Sequence, residues 1–151
     1  MNKYNPNLHH RRSIRLHRYD YSQEGLYFVT VCTQNRTCLF GEITAGEMRL
    51  NETGRIVENE WIKLPERFNN VVLDIFQIMP NHFHGILQIV GAGSARPEIN
   101  DSDTDNNRAG EPRPYVPALG NMIAYFKYQT TKQIDLPVKL WQRNYYEHII
   151  R

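Results

Sequence analysis

Two runs of strand-forming residues, 71–79 and 82–90, are separated only by Pro80 and Asn81. Both runs are rich in β-branched and aromatic residues, and a Pro-Asn pair is typical of a turn. So short a connection joins antiparallel strands, because parallel strands need a crossover of about a dozen residues or more. The chain must therefore fold around an antiparallel hairpin.

A further strand and a helix are predicted upstream of this hairpin. Residues 27–33 are dense in β-branched and aromatic side chains, which predicts a buried strand. Apolar residues between 56 and 64 fall at helical spacing behind Asn51 and Thr53, the candidate caps. We expect Pro65 to end this amphipathic helix.

The other elements complete a regular order. Residues 39–50 predict a small hairpin with Gly46 in its turn, residues 119–134 a second helix that Pro137 terminates, and residues 140–150 a last strand. The main elements then run strand, helix, strand, strand, helix, strand. This order predicts an α+β fold, a ferredoxin-like split βαβ sandwich in which two main helices cover one face of an antiparallel sheet.

Size and composition favour one domain. The chain has 151 residues, of which 40% are hydrophobic, and we expect residues 1–151 to form a single domain. Residues 91–117 are rich in Gly, Pro, Ser, Asn and Asp, which predicts a flexible polar loop. No stretch approaches the roughly 18 apolar residues of a membrane span, and two cysteines cannot form a four-cysteine zinc site. We expect no membrane contact and a cytoplasmic location.

The distribution of charge is uneven, although the formal net charge is only +2. Residues 1–20 form a basic N-terminal arm, whose first nineteen residues contain no Asp or Glu, and the chain from residue 112 onwards is basic again. Residues 42–74 are acidic by comparison. Two basic ends indicate that a polyanion binds one face or edge, while the alternative is an arm that only keeps the protein in solution.

His82 and His84 are the candidate metal ligands. On a strand, residues i and i+2 point to the same face, so both imidazoles should project together while Phe83 points to the other side. Two such imidazoles can form half of a binding site for a divalent cation. Among zinc, manganese and magnesium, magnesium has the weakest preference for nitrogen ligands. A His-X-His pair also occurs in sheets without metal. His148 is a further candidate ligand, but the usual ferredoxin-like strand order places it two strands away.

Several segments together resemble the single-tyrosine HUH transposases, and within them the REP-associated tyrosine transposases. The resemblance rests on residues 11–16, 19–22, 27–33, 40–41, 79–85 and 140–151. It implies a ferredoxin-like fold, a homodimer, and Mg²⁺- or Mn²⁺-dependent cleavage and rejoining of single-stranded DNA next to a hairpin, such as a REP-like palindrome. A tyrosine would carry the 5′-phosphate covalently. His82 and His84 match the metal-binding histidines of that family. The resemblance also implies a bacterial, nucleoid-associated protein.

One departure from the family pattern concerns the nucleophile. In the family, the catalytic tyrosine lies on a helix after the strand that corresponds to residues 141–151, and this sequence stops at Arg151. Tyr145 and Tyr146 belong to the strand motif and do not occupy the nucleophile's position. We therefore expect the nucleophilic tyrosine beyond Arg151, and our hypothesis is that this chain keeps DNA and metal binding without the nucleophile.

Basic residues in both ends of the chain are the candidates for holding DNA phosphates. These are Arg11, Arg12, Arg15, Arg18, Lys127 and Arg143. Each of them could equally be a solvated surface charge. The competing function is a non-catalytic module of ferredoxin-like fold that stacks single-stranded bases on exposed aromatic residues.

Overall fold

A computed structural model describes residues 15–16, 18–91 and 117–151. The predicted loop at 91–117, apart from its two end residues, and most of the basic arm lie outside these ranges. The strands are β1 (Gly25–Cys32), β2 (Gly41–Thr44), β3 (Glu47–Leu50), β4 (Val71–Met79), β5 (His82–Ile89) and β6 (Tyr146–Ile150), and the helices are α1 (Glu52–Ile62), α2 (Leu64–Arg67) and α3 (Leu119–Ile134).

The main sheet has the strand order β4-β5-β1-β6, with every neighbouring pair antiparallel. The hairpin of β4 and β5 connects through Pro80 and Asn81, as the sequence predicts. Strands β2 and β3 form the separate small hairpin, whose turn residues Ala45 and Gly46 have φ of 52° and 79°. The α+β, ferredoxin-like prediction is confirmed.

One face of the main sheet packs against α1 and α3. Alternate side chains of β1, including Tyr27 and Val29, are fully buried on this face. Trp61 of α1 lies 4.5 Å from Phe83 and 5.4 Å from Phe126 of α3, measured between ring centroids. The core therefore lies between the two helices and this face. We call the other face, on which Thr30 and His84 lie, the distal face.

The ends of the helices follow from local capping. Asn51 caps α1 because its Oδ1 accepts a hydrogen bond from the Gly54 amide at 2.9 Å. Helix α1 ends at Ile62, just before Pro65, as the sequence predicts. Pro65 itself lies in the first turn of the short helix α2, where a missing amide hydrogen costs nothing. Within the described ranges, no helix has the length and apolarity needed to cross a bilayer.

The last strand is shorter than predicted, because residues 140–145 are held by other contacts. Trp141 makes an isolated bridge to Thr33, and its indole nitrogen donates to Thr130 Oγ1 at 2.8 Å. The carbonyls of Gln142 and Arg143 both accept hydrogen bonds from Lys127 Nζ. Continuous sheet pairing begins only at Tyr146.

Candidate metal and nucleic-acid site

His82 and His84 lie at the start of β5, next to the end of β1. Their register partners are Cys32 and Thr30, and their ring centroids are 4.6 Å apart. Phe83 between them is fully buried in the core. The prediction that both imidazoles share a face is confirmed, and that face is the distal face.

Each imidazole has a hydrogen-bond partner at Nδ1. His82 Nδ1 lies 2.7 Å from Asn81 Oδ1, an acceptor, so this nitrogen carries the proton and donates. His84 Nδ1 shares a hydrogen bond of 2.8 Å with Thr30 Oγ1. Nε2 of His82 thereby keeps its lone pair, and the same holds for His84 when its Nδ1 donates to Thr30. Such outer partners fix the orientation of metal-binding histidines.

The surroundings favour neutral imidazoles. Burial lowers the pKa of His82 below its usual range, and the neighbouring charges of His84 and Arg36 lower it further. Burial alone lowers the pKa of His84. Because a cation binds only the unprotonated nitrogen, both shifts keep the pair competent as ligands toward mildly acidic pH.

A cavity of about 220 Å³ lies beside the two rings. Its lining consists of Thr30, Cys32, Arg36, Asn81, His82, His84 and Tyr146. We call it the histidine pocket. Tyr146 reaches it because Thr30 pairs with His84 on one side and with Tyr146 on the other.

His148 does not join this pocket. Its register partner is Phe28, two residues before Thr30 on β1. His148 lines a different cavity together with Arg15 and Tyr21. Across the described part of the chain, no group of three or more His, Cys, Asp or Glu residues is arranged to hold a metal ion. Among the described residues, His82 and His84 therefore form a pair without a third His, Cys, Asp or Glu.

Arg36 is a pocket residue that the sequence did not suggest. It ends a 3-10 turn, Gln34–Arg36, that is separated from β1 only by Thr33. Its carbonyl accepts a hydrogen bond from Asn81 Nδ2 at 3.2 Å. No local motif marks Arg36, because its position beside His82 depends on the pairing of β1 with β5.

The residues predicted to bind DNA lie in different surroundings. Arg11 and Arg12 fall outside the described residues. Arg18 and Arg143 are exposed. Arg15 donates a hydrogen bond to the Tyr145 hydroxyl at 3.0 Å and lies over the Tyr145 ring. Lys127 donates hydrogen bonds to the carbonyls of Gln142 and Arg143. The structure brings Lys127 and Arg143 together but places neither among the residues that line the histidine pocket.

Comparison with known sequences relates this chain to a protein of Haemophilus influenzae. No family model matches the chain. An uncharacterized protein of Haemophilus influenzae is 41% identical over an alignment of 155 positions, which covers 99% of this chain and 83% of the relative. The chain belongs to the same family as this Haemophilus protein. That relationship assigns no activity to either.

Two solved structures share the fold. A REP-associated tyrosine transposase bound to a REP hairpin matches with a TM-score of 0.55 and 19% identity, and a protein from Deinococcus radiodurans R1 described as a candidate transposase matches with 0.52 and 12%. Each match covers 91% of this chain. The chain spans 62% of the length of the hairpin-bound transposase and 85% of the other. The fold is transposase-like.

Proposed function

We propose that this protein binds single-stranded DNA beside a hairpin and holds Mg²⁺ or Mn²⁺ between His82 and His84, as a transposase-like protein. The observation that carries the proposal is the pair of imidazoles on the distal face, each with a partner at Nδ1. The transposase-like fold supports it, and one of the two structural neighbours was solved with a REP hairpin.

His82 and His84 would supply part of the coordination shell of a divalent cation. Two imidazole nitrogens would supply two ligands, and the remaining positions would be filled by water or phosphate oxygens, since no third His, Cys, Asp or Glu joins the pair among the described residues. When bound, the cation would polarise a phosphodiester as a Lewis acid. The hydrogen bonds of Thr30 and Asn81 with the two rings support this arrangement.

The exposed arginines are the better candidates for phosphate contacts. Arg18 and Arg143 have free access from solvent, whereas Lys127 already donates to two backbone carbonyls. Arg11, Arg12 and Arg15 complete the proposed set. The single domain over residues 1–151, the homodimer, the cytoplasmic location and the nucleophilic tyrosine beyond Arg151 remain predictions.

A binding comparison tests the proposal. A labelled DNA hairpin with a single-stranded 5′ extension and a blunt duplex with the same stem would be titrated with the protein, in Mn²⁺ and in EDTA. We expect tighter binding to the extended hairpin, with Mn²⁺ increasing that affinity. Equal affinity for both DNAs in both buffers would overturn the proposal.

A non-catalytic binding module is the second candidate. It is favoured by aromatic groups on the distal face: Phe28 stacks on His84, with ring centroids 5.3 Å apart, and the Tyr146 side chain is exposed. Such rings can stack single-stranded bases without a metal. Hairpin binding that is unchanged by EDTA, and unchanged by His82→Ala, would favour this module.

Incubation of the 151-residue chain with the extended hairpin and Mn²⁺ tests the hypothesis that this chain lacks the nucleophile. We expect no covalent protein-DNA adduct, because none of the described tyrosines matches the expected nucleophile. An adduct would show that expectation to be wrong, and Tyr146→Phe would then be the first variant to compare, since Tyr146 lines the histidine pocket.

A further inference from the structure

We infer that Arg36 is a phosphate-binding residue of the histidine pocket, positioned so that its guanidinium holds a DNA phosphate next to His82 and His84. The inference rests on the proposed function and names a residue within that site. Neither the His-X-His motif nor the basic arm includes it.

The composition of the pocket is the first observation. Its lining combines two imidazoles with small or polar side chains, and Arg36 is the single guanidinium or ammonium group among the lining residues. The Arg36 side chain is exposed, so it can reach a ligand from solvent. A planar guanidinium can donate two parallel hydrogen bonds to one phosphate group, which suits it to this role.

The backbone of the turn is the second observation. Asn35 and Arg36 have φ of 56° and 55°, in the left-handed region that residues with a side chain seldom adopt. Two such residues in succession are unfavourable unless the surrounding structure holds them. Glycine would adopt this conformation without strain, so an arginine at position 36 points to a use for its side chain.

The contacts that hold the turn are the third observation. Thr33 is fully buried, and its one hydroxyl proton is shared between two carbonyl acceptors, that of Thr37 at 2.8 Å from Oγ1 and that of Asn81 at 3.0 Å. The Arg36 amide donates to the Thr33 carbonyl at 3.2 Å. The turn after β1 is therefore fixed to the turn between β4 and β5.

Asn81 joins the arginine to the histidines. One end of its side-chain amide donates to the Arg36 carbonyl, and the other accepts from His82 Nδ1. Because one planar group bonds to both, the Arg36 backbone and the His82 ring keep a fixed relation.

Three variants test the inference. Arg36→Gln removes the charge, and Arg36→Gly removes the side chain while relieving the left-handed strain. Arg55→Gln is the matched control, since Arg55 is an exposed arginine on α1, across the sheet from the pocket. The dissociation constant for the extended hairpin would be measured in Mn²⁺ at several salt concentrations, with melting temperatures for each protein.

We expect Arg36→Gln and Arg36→Gly to weaken hairpin binding about tenfold and to reduce the slope of log Kd against log salt by about one. Arg55→Gln should bind as the wild type does. Arg36→Gly should melt at or above the wild-type temperature, so its weaker binding could not come from unfolding. The Mn²⁺ affinity of the DNA-free variants should not fall.

Two outcomes would overturn the inference, and they are distinguishable. If wild type prefers the extended hairpin but both Arg36 variants bind as Arg55→Gln does, Arg36 holds no phosphate and the proposed function stands. If wild type shows no preference for the extended hairpin over the duplex, both the proposed function and this inference fail.

Discussion

Asn81 Oδ1 accepts a hydrogen bond from His82 Nδ1 at 2.7 Å, and the same amide donates through Nδ2 to the Arg36 carbonyl. The second bond sets which way the amide points, and the first then sets which nitrogen of His82 carries the proton. A turn residue adjacent in sequence to His82 thus determines whether its Nε2 can act as a ligand.

Asn81→Ala should weaken Mn²⁺ binding about tenfold, because the His82 ring loses the acceptor that fixes its orientation. Electron paramagnetic resonance of free Mn²⁺ measures this directly during a titration. Asn69→Ala is the control, since Asn69 is exposed and precedes β4. Equal affinities for the two variants would show that Asn81 does not position His82.

Gly85→Ala should destabilise the fold by about 1–3 kcal/mol, because the added methyl overpacks the core. A Cβ at Gly85 would lie 2.6 Å from Trp61 Cζ2 and 2.8 Å from Phe83 Cε1. Urea denaturation gives the free energy of unfolding. Gly120→Ala, where the nearest atom would be 3.5 Å away, should leave stability equal or higher. A Gly85→Ala protein as stable as wild type would contradict the described packing.

Lys127 should make stability depend on pH in the alkaline range. Burial, and then the charge of Lys139, lower the pKa of Lys127 from 10.5 to about 8. Between these values the unfolded chain binds more protons than the folded one, so the folded state gains stability as pH rises. Below pH 8 both states are protonated, and Lys127 contributes no pH dependence.

The comparison protein for this prediction is Lys127→Met, which also loses the two hydrogen bonds to the 142 and 143 carbonyls. The difference in free energy of unfolding, wild type minus variant, should be flat from pH 7 to 8 and then increase toward pH 10. Urea denaturation at each pH measures it. A difference that stays constant to pH 10 would show that the Lys127 pKa is not lowered.

Much of the fold could be predicted because the decisive signals are local. The turn at Pro80 and Asn81 fixed one hairpin, and the Asn51 cap and apolar spacing located α1. The sequence did not suggest the short helix α2, because proline can begin a helix as well as end one. The last strand was predicted too long, because Lys127 and Thr130 of α3 form hydrogen bonds with residues 141–143.

Only the part of the candidate site that lies on a single strand could be predicted from the sequence. His82 and His84 share a face by strand geometry alone, whereas Thr30, Arg36 and Tyr146 reach the pocket through the register of β1 with β5 and β6. No spacing in the sequence encodes that register. The prediction of phosphate-binding residues therefore fell on clusters of charge and missed Arg36.

Calorimetric titration of Mn²⁺ into the protein, with and without the extended hairpin, tests the central claim most directly. We expect one Mn²⁺ per chain, bound more tightly when the hairpin is present, because coupled binding is reciprocal. The double variant His82→Ala/His84→Ala should lose this binding, while His148→Ala, whose side chain lines a different cavity, should keep it. Equal Mn²⁺ binding by wild type and the double variant would contradict the account.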